Sequence, residues 1–129
     1  MKIHLKLIVL NDQGEPFMGR GPVQLLQGIA RLGSINQAAK EMNLSYVKAL
    51  KMIKKIEACL GSKILITKIG GKEHGGAELT PLAGNFLNFF AAYEAEVENF
   101  AQERFTQTLG CIEVFGKEHQ IGVRTENEQ

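Results

Sequence analysis

The sequence is poor in the side chains around which catalytic and metal sites are usually built. It has three histidines, two cysteines and no tryptophan among 129 residues. Two cysteines, Cys59 and Cys111, are too few for a disulfide framework. This low number favours a protein of the reducing cytoplasm. None of the histidines lies at a spacing typical of metal ligands or of a catalytic triad. We therefore expect no enzyme activity, no metal and no cofactor.

Long apolar runs are also missing. Runs such as Leu7 to Leu10 are far shorter than the ~20 residues that a membrane-spanning helix needs. No signal-peptide pattern follows Met1, so we expect a cytoplasmic protein without a membrane partner. A hydrophobic content of 44% is nevertheless enough for one buried core.

Charge of both signs is present but segregated along the chain. Between Lys40 and Lys72 there are eight lysines and two glutamates, a net charge of +6. From Thr80 to the end, three basic residues stand against eight glutamates, a net charge of −5. Because a basic segment attracts polyanions, the near-neutral total hides a candidate nucleic-acid surface. The alternative is that the basic and the acidic segment form two solvated surfaces that bind no partner.

The first third of the chain predicts a small hairpin followed by a helix. Apolar residues alternate from Ile3 to Val9, which indicates a strand with one buried face. Turn residues at 11–14 and the pair Phe17-Met18 predict a short return strand. A helical apolar pattern then continues to Gly33.

The next segment predicts a helix-turn-helix. Ser34 with Gln37 forms a capping-box pattern at the start of a short helix. Asn43-Leu44 indicates a tight turn, and a longer helix from Ser45 to about Leu60 follows. Two helices joined in this way, the second longer and more basic, are typical of DNA-binding proteins, although any small helical domain contains helix pairs.

A second hairpin and a long helix complete the predicted α+β fold, mainly α with small β hairpins. Short β segments at 64–66 and 77–79 flank a glycine-rich tip, Gly70 to Gly76, which is the geometry of a wing. Thr80-Pro81 begins the last helix. We predict a winged helix-turn-helix with an N-terminal hairpin over residues 1–80, a dimerisation helix over 81–109, and a short, partly disordered tail over 110–129.

The last helix carries an apolar stripe that predicts a homodimer. Its residues recur at spacings of four and three and are Phe86, Phe90, Tyr93, Val97 and Phe100. A helix of this length extends roughly 40 Å, more than one small domain covers, so its far end needs a second copy. A helix folded back on its own domain is the alternative.

The helix from Ser45 to Leu60 has a narrow apolar stripe and a broad basic face. Ala49, Ile53 and Ile56 lie together, whereas the lysines fall on the opposite side and gain nothing from folding. Such a face suits phosphates, because each neutralised phosphate releases counterions. A solvated lysine face is the alternative.

These patterns predict a set of DNA-contacting residues. We predict that base edges are contacted by Ser45, Tyr46 and Lys48. Contacts with the DNA backbone are predicted for Lys51, Lys54, Lys55, Lys68, Lys72 and Thr80. His74 in the wing and Ser34 at a helix start are further candidates. A free surface hairpin and ordinary helix caps are the alternatives for these last positions.

The order of the motifs resembles a known family. Gly-Ser-Ile-x-x-Ala-Ala-Lys at 33–40, Leu-Ser-Tyr at 44–46, and Ala49, Ile53 and Gly61 resemble the winged helix-turn-helix of LysR-type regulators. A Gly-Glu-Pro-Phe turn at 14–17 and a Gly-Gly-Lys-x-x-Gly-Gly wing at 70–76 are closer to the N-terminal DNA-binding domain of ModE-type, molybdate-responsive regulators. The resemblance extends over residues 3–109 and implies a DNA-binding fold with a long dimer helix.

The departures from that family change what is expected. Leu50 stands where the family commonly has tryptophan, and Lys51, Lys54 and Lys55 occupy acidic or neutral family positions, so base preference cannot be carried over. The Ser-Ala-Arg-Asn motif of the oxyanion-binding domain is absent from this sequence. We therefore expect no molybdate sensing by this chain, and any small-molecule effector stays unknown.

Together these observations predict a sequence-specific transcriptional regulator that binds double-stranded DNA. It would act as a homodimer on a pseudo-palindromic operator. The first alternative is a winged-helix interaction module that docks on another regulator without contacting DNA. The second is a repressor with a ligand between its long helices.

Overall fold

The structure, a computed structural model, describes residues 1–68 and 76–109. Its helices and strands, in chain order, are β1 (Val9–Leu10), β2 (Pro16–Met18), α1 (Arg20–Leu32), α2 (Ile35–Glu41), α3 (Tyr46–Leu60), β3 (Leu65–Lys68), β4 (Gly76–Leu79) and α4 (Pro81–Gln107). The predicted α+β class is confirmed, with four helices and two antiparallel strand pairs. The predicted wing tip, including Lys72 and His74, and the predicted tail over 110–129 lie outside the described residues.

The described chain forms two compact units. The larger unit contains residues 6–91 and therefore the two hairpins and the helix-turn-helix. The smaller unit contains residues 1–5 and, from the described part of the C-terminal region, residues 92–109. Among the described residues, no helix combines the length and apolar character that crossing a bilayer would require.

Local hydrogen bonds fix the helix-turn-helix in the larger unit. The Ser34 Oγ accepts the Gln37 amide at 3.2 Å, and the Ser45 Oγ accepts the Lys48 amide at 3.1 Å, so both predicted caps are present. Asn43, in the turn between α2 and α3, has a positive φ of 56°, a conformation that asparagine adopts more readily than most residues.

The core of the larger unit is built mainly from α1, α2 and α3. Its fully buried side chains include Leu25, Leu26 and Ile29 of α1 and Ile56 of α3. A methyl group at Gly28 would lie 3.1 Å from the Ala38 Cβ, so glycine allows α1 and α2 to pack closely. The predicted apolar stripe of α3 is observed, because Ala49, Ile53 and Ile56 are all buried.

The N-terminal hairpin is shorter than the alternation of apolar residues indicates. Only Val9 and Leu10 of the predicted strand pair, with Met18 and Pro16 as their partners. The return strand has three residues, which limits how far the ladder can extend. The residues before Val9 still alternate between half-buried and exposed positions, so the pattern located the buried face correctly but overestimated the paired length.

The second hairpin is attached to the end of α1 and closed at its own base. β3 and β4 pair in register from Leu65 opposite Leu79 to Lys68 opposite Gly76. The Ala77 amide donates to the Gly33 carbonyl at 2.9 Å, immediately after α1 ends at that glycine. The Thr80 amide donates to the Ile64 carbonyl at 2.9 Å, which closes the base of the hairpin.

The two parts of α4 have different surroundings. In the larger unit, Phe90 is only 6% exposed and belongs to the buried core, and Phe86 packs against that core. In the smaller unit, the Ile3 amide donates to the Gln102 Oε1 at 3.1 Å, and the His4 Nδ1 lies 3.3 Å from a Glu98 carboxylate oxygen. The N-terminal residues of the smaller unit therefore lie against the C-terminal half of α4.

Candidate nucleic-acid interface

The N-terminal turn of α3 projects apolar and polar side chains into solvent. Tyr46 is 48% exposed and Val47 is 59% exposed, although both are large and could have been buried. The Ser45 Oγ accepts a hydrogen bond from the Lys48 amide, so its own hydroxyl hydrogen is still able to donate. This turn can therefore present a hydroxyl, a phenol and an isopropyl group to a partner.

Lysines extend along the exposed side of α3, but they are not equivalent. Lys48 and Lys51 are exposed and form no ion pair with any residue that the structure describes. Lys54 lies 3.8 Å from a Glu57 carboxylate oxygen, and Lys55 lies 3.4 Å from a Glu15 carboxylate oxygen. The expectation that none of these lysines gains anything from folding was wrong for Lys54 and Lys55, because the folded chain brings a carboxylate to each.

Glu57 connects α3 to the second hairpin. Its side chain is only 12% exposed, and its Oε2 accepts the Ile64 amide at 3.0 Å. Its Oε1 lies 3.7 Å from the Lys63 Nζ and 3.8 Å from the Lys54 Nζ. Since Ile64 directly precedes β3, this carboxylate fixes where the hairpin leaves the helix. Sequence reasoning counted Glu57 only as a charge and missed this role, for which the sequence holds no local signal.

Ser34 and Thr80, both predicted as helix caps, differ in whether their hydroxyls can donate a hydrogen bond to a phosphate. The Ser34 hydroxyl accepts the Gln37 amide and can still donate its hydrogen. The Thr80 hydroxyl donates to the Lys63 carbonyl at 3.0 Å and accepts the Ala83 amide at 3.3 Å. Because a hydroxyl has one hydrogen, Thr80 is a structural cap in this structure and its hydroxyl is not free to donate to DNA.

One predicted wing residue lies within the described part of the hairpin. Lys68 is at the end of β3, where its Nζ lies 2.9 Å from a carboxylate oxygen of Glu78 on β4. Both side chains are exposed, so the pair is screened by solvent and can be exchanged for another anion at little cost. Lys72 and His74 remain predictions, since they belong to the segment that the structure does not describe.

An exposed ion pair joins the first two helices. Arg31 donates to both carboxylate oxygens of Glu41, at 2.7 and 3.2 Å. The hydrogen bond from Arg31, supported by its positive charge, holds the pKa of Glu41 below its ordinary value of 4.5. Glu41 is therefore charged at neutral pH, and one of the two acids of the basic segment is already neutralised by an arginine.

Val47 is the main contact candidate that sequence reasoning missed. It is four residues before Lys51 and seven before Lys54, so the three share one helix face. Its position on the basic face follows from helical spacing, but the predicted set of DNA-contacting residues contains no aliphatic side chain. Leu50, which stands at the tryptophan position of the ModE-type family, is half-buried. Within residues 1–68 and 76–109, no three His, Cys, Asp or Glu side chains cluster as a metal site would require.

Comparison with known proteins identifies the region that contains this surface. The family described as bacterial regulatory helix-turn-helix protein, lysR family, matches residues 22–83. This is a family of regulators and not of enzymes.

Curated relatives and a solved structure also match this chain. The molybdenum-pterin-binding protein MopB of Rhodobacter capsulatus is 39% identical over 80 residues, which are 62% of this chain and 30% of MopB. The molybdenum transport protein ModE of Azotobacter vinelandii is 33% identical over 109 residues, 80% of this chain and 40% of that protein. The crystal structure of a CbnR_DBD-DNA complex is 21% identical, with a TM-score of 0.46, and the match covers 71% of this chain and 95% of that one.

The chain thus spans less than half the length of these two curated relatives. Residues 22–83 are thus similar to the regulatory helix-turn-helix of the lysR family, and the N-terminal part of the chain is similar to ModE-type regulators.

Proposed function

We propose that the chain is a sequence-specific, DNA-binding transcriptional regulator that acts in the cytoplasm as a homodimer on a pseudo-palindromic operator. The observation that carries this proposal is the exposed face of α3 within a lysR-family domain. That face begins with Tyr46 and Val47 and continues with Lys48 and Lys51, which form no ion pair with any described residue. An α-helix with this distribution fits the major groove, with its first turn at the bases.

The roles within the interface follow from the chemistry of each group. Ser45, Tyr46, Val47 and Lys48 contact base edges, because they occupy the first turn of α3. Lys51 contacts a phosphate without first giving up another ion pair. Lys54, Lys55 and Lys68 reach phosphates only by leaving Glu57, Glu15 and Glu78, so each contributes less than Lys51. Ser34 can donate its hydroxyl hydrogen to the backbone.

The homodimer is supported by exposed aromatic side chains on α4. In the smaller unit, Tyr93 is 58% exposed and Phe100 is 65% exposed, and the two are separated by two helical turns. Large apolar groups exposed at this spacing favour pairing with a second helix. Phe90 does not belong to this surface, because the core of its own chain already buries it.

A selection from random duplexes, followed by titration, tests the proposal. The purified protein should enrich an inverted repeat whose half-sites are about one helical turn apart, or a multiple of it. Binding to the selected duplex should then be measured by fluorescence anisotropy at several salt concentrations, beside a scrambled duplex. We expect the Lys51→Gln variant to weaken binding to both duplexes and to reduce the log–log salt slope by about 1.8 per dimer, or roughly 0.9 for each lost phosphate contact.

Lys6→Gln provides the matched control. Lys6 is an exposed lysine of the larger unit that does not belong to α3, so this variant should leave the salt slope unchanged. Enrichment of no sequence, with equally weak binding of both duplexes, would contradict the proposal and favour an interaction module. An equal loss in the two lysine variants would show that α3 is not the helix that meets DNA.

A further inference from the structure

The larger unit contains a cavity of about 300 Å³ between the N-terminal hairpin, the start of α1 and the side of α3. Its walls are mainly apolar and include Ile8, Phe17, Pro22 and Met52. Ile8 is 60% exposed at this cavity, which is a high value for an isoleucine beside a buried core. The volume is at the lower end of the range for small-molecule sites, so it suits a ligand of about ten to fifteen non-hydrogen atoms.

The charged groups at the cavity are both cations. Arg20 and Lys55 line it, and none of its lining residues is acidic within the part of the chain that the structure describes. Lys55 already has a partner in Glu15, at 3.4 Å. Arg20 is exposed and forms no ion pair with a described residue. An apolar cavity with a guanidinium that no described carboxylate neutralises is complementary to an apolar molecule that carries one carboxylate.

We propose that this cavity binds a small apolar carboxylate, with its apolar body between Phe17, Pro22 and Met52 and its carboxylate on Arg20. The lining includes Met52 and Lys55, both from α3. Because Lys55 lines the same cavity, we expect a bound carboxylate to compete with Glu15 for that ammonium group. If Lys55 contacts DNA as proposed above, the same ligand lowers the affinity for DNA, and DNA lowers the affinity for the ligand by the same factor.

Cinnamate is a suitable probe, since it has eleven non-hydrogen atoms and one carboxylate, and its neutral amide has nearly the same shape. We expect cinnamate to bind the DNA-free protein with a Kd on the order of 1 mM. Chemical-shift changes should concentrate on the Met52 methyl and the Gly21 amide. Cinnamamide should bind about tenfold more weakly, and Arg20→Gln should reduce cinnamate binding to the level of the amide.

A cavity-filling variant tests the site without changing any charge. A Cβ at Gly21 would lie 3.8 Å from the Met52 Cε, an ordinary contact, so Gly21→Leu should fill the cavity while the fold is kept. The same substitution at Gly84, a helical glycine with no atom within 4 Å of the added Cβ, is the control. Gly21→Leu should abolish the shift changes, and Gly84→Leu should retain them, with both folds checked by circular dichroism.

The outcomes separate this site from the proposed DNA interface. No saturable binding of cinnamate, or binding that persists in folded Gly21→Leu, would overturn the ligand site, whatever the protein does with DNA. Equal affinity for cinnamate and cinnamamide would overturn the part played by Arg20. Binding of cinnamate that leaves the affinity for the selected duplex unchanged would overturn the coupling through Lys55.

Discussion

Val47 is an exposed side chain that can contribute to sequence preference without contributing to the affinity for DNA of any sequence. An isopropyl group at the first turn of α3 has no charge to offer a phosphate, but it can pack against a thymine methyl group in the major groove. Its neighbours Tyr46 and Lys48 offer polar groups at the same turn. The proposed apolar and polar contacts to bases are therefore next to one another on this helix.

We predict that Val47→Ala relaxes sequence preference. Loss of two methyl groups should cost about 1 kcal/mol at each half-site, so a dimer should lose about 2 kcal/mol on the selected duplex, roughly a thirtyfold loss of affinity. Affinity for the scrambled duplex and the salt slope should both stay at the wild-type level, because no phosphate contact is removed. A uniform loss on both duplexes would contradict a base contact and indicate a change in the position of α3.

The ion pair of Glu41 predicts how the stability of the folded state depends on pH. Its pKa is lowered by the hydrogen bond from Arg31, so the folded state binds its proton less readily than the unfolded state does. The pair therefore adds stability above pH 4.5, and this contribution is lost as the pH falls through the lowered pKa. Glu41→Gln should lower the urea midpoint slightly at pH 7, and the difference from wild type should vanish near pH 3.

Glu103→Gln is the control for that experiment, because Glu103 is an exposed acid outside the helix-turn-helix. Its urea midpoint should follow the wild type at both pH values. A difference for Glu41→Gln that persists at pH 3 would mean that the substitution acts through packing and not through the ion pair.

At the scale of the elements, the packing of α1 on α2 depends on a missing side chain. Gly28→Ala would add a Cβ 3.1 Å from the Ala38 Cβ, which cannot move aside because alanine has no side-chain rotamer to change. The helices would have to separate, and we expect the variant to be destabilised by about 1 kcal/mol in spite of the better helix propensity of alanine.

Gly84→Ala tests the opposite case in α4. The added Cβ would meet no atom within 4 Å, so only the gain in helix propensity remains. We expect a stabilisation of about 0.5–1 kcal/mol, measured by urea denaturation of both variants side by side. Stabilisation by both substitutions would show that α1 and α2 can separate without loss.

Local patterns predicted most of the elements, and the exceptions share a physical cause. Ser45 was expected to begin the helix that ends at Leu60, and it is the N-cap of α3, which ends at that residue. Capping and helical spacing depend on near neighbours and can therefore be recognised in one sequence. The paired length of the first strand depends on its partner, which extends only from Pro16 to Met18.

The candidate site was predicted less completely for the same reason. The lysine face of α3 follows from helical spacing, but the approach of Glu15 to Lys55 joins residues forty positions apart. The burial of Phe90 likewise depends on the whole core of the larger unit. Contacts of this kind depend on the folded packing, and no periodicity in the sequence reports them.

At the scale of the whole molecule, the proposed dimer depends on a smaller aromatic surface than the sequence indicated. Phe86 and Phe90 stack at a centroid distance of 6.5 Å beside the core of their own chain. Val97 is half-buried, whereas Tyr93 and Phe100 are exposed. The stripe predicted as one interface is therefore divided between internal packing and an exposed pair.

We predict that Tyr93→Lys combined with Phe100→Lys produces monomers. Two added charges per chain would oppose the pairing of helices through this face, since burying an unpaired ammonium group is costly. Sedimentation velocity over a range of protein concentrations measures the change. Ala95→Lys adds a lysine at an exposed position on the other side of α4 and should leave the oligomeric state of the wild type unchanged. A dimer that survives the double substitution would place the interface elsewhere.

The hydrogen bond from the Ala77 amide to the Gly33 carbonyl also bears on how the larger unit unfolds. It joins the end of α1 to β4 across α2, α3 and β3, and a Cβ at the adjacent Gly76 would lie only 3.2 Å from the same carbonyl. We expect the Ala77 amide to become exposed to solvent only when this long closed segment comes apart. Its exchange with deuterium should therefore be among the slowest in the chain and should report global unfolding. The amides of the exposed first turn of α3 should exchange through local fraying at the surface proposed to meet DNA.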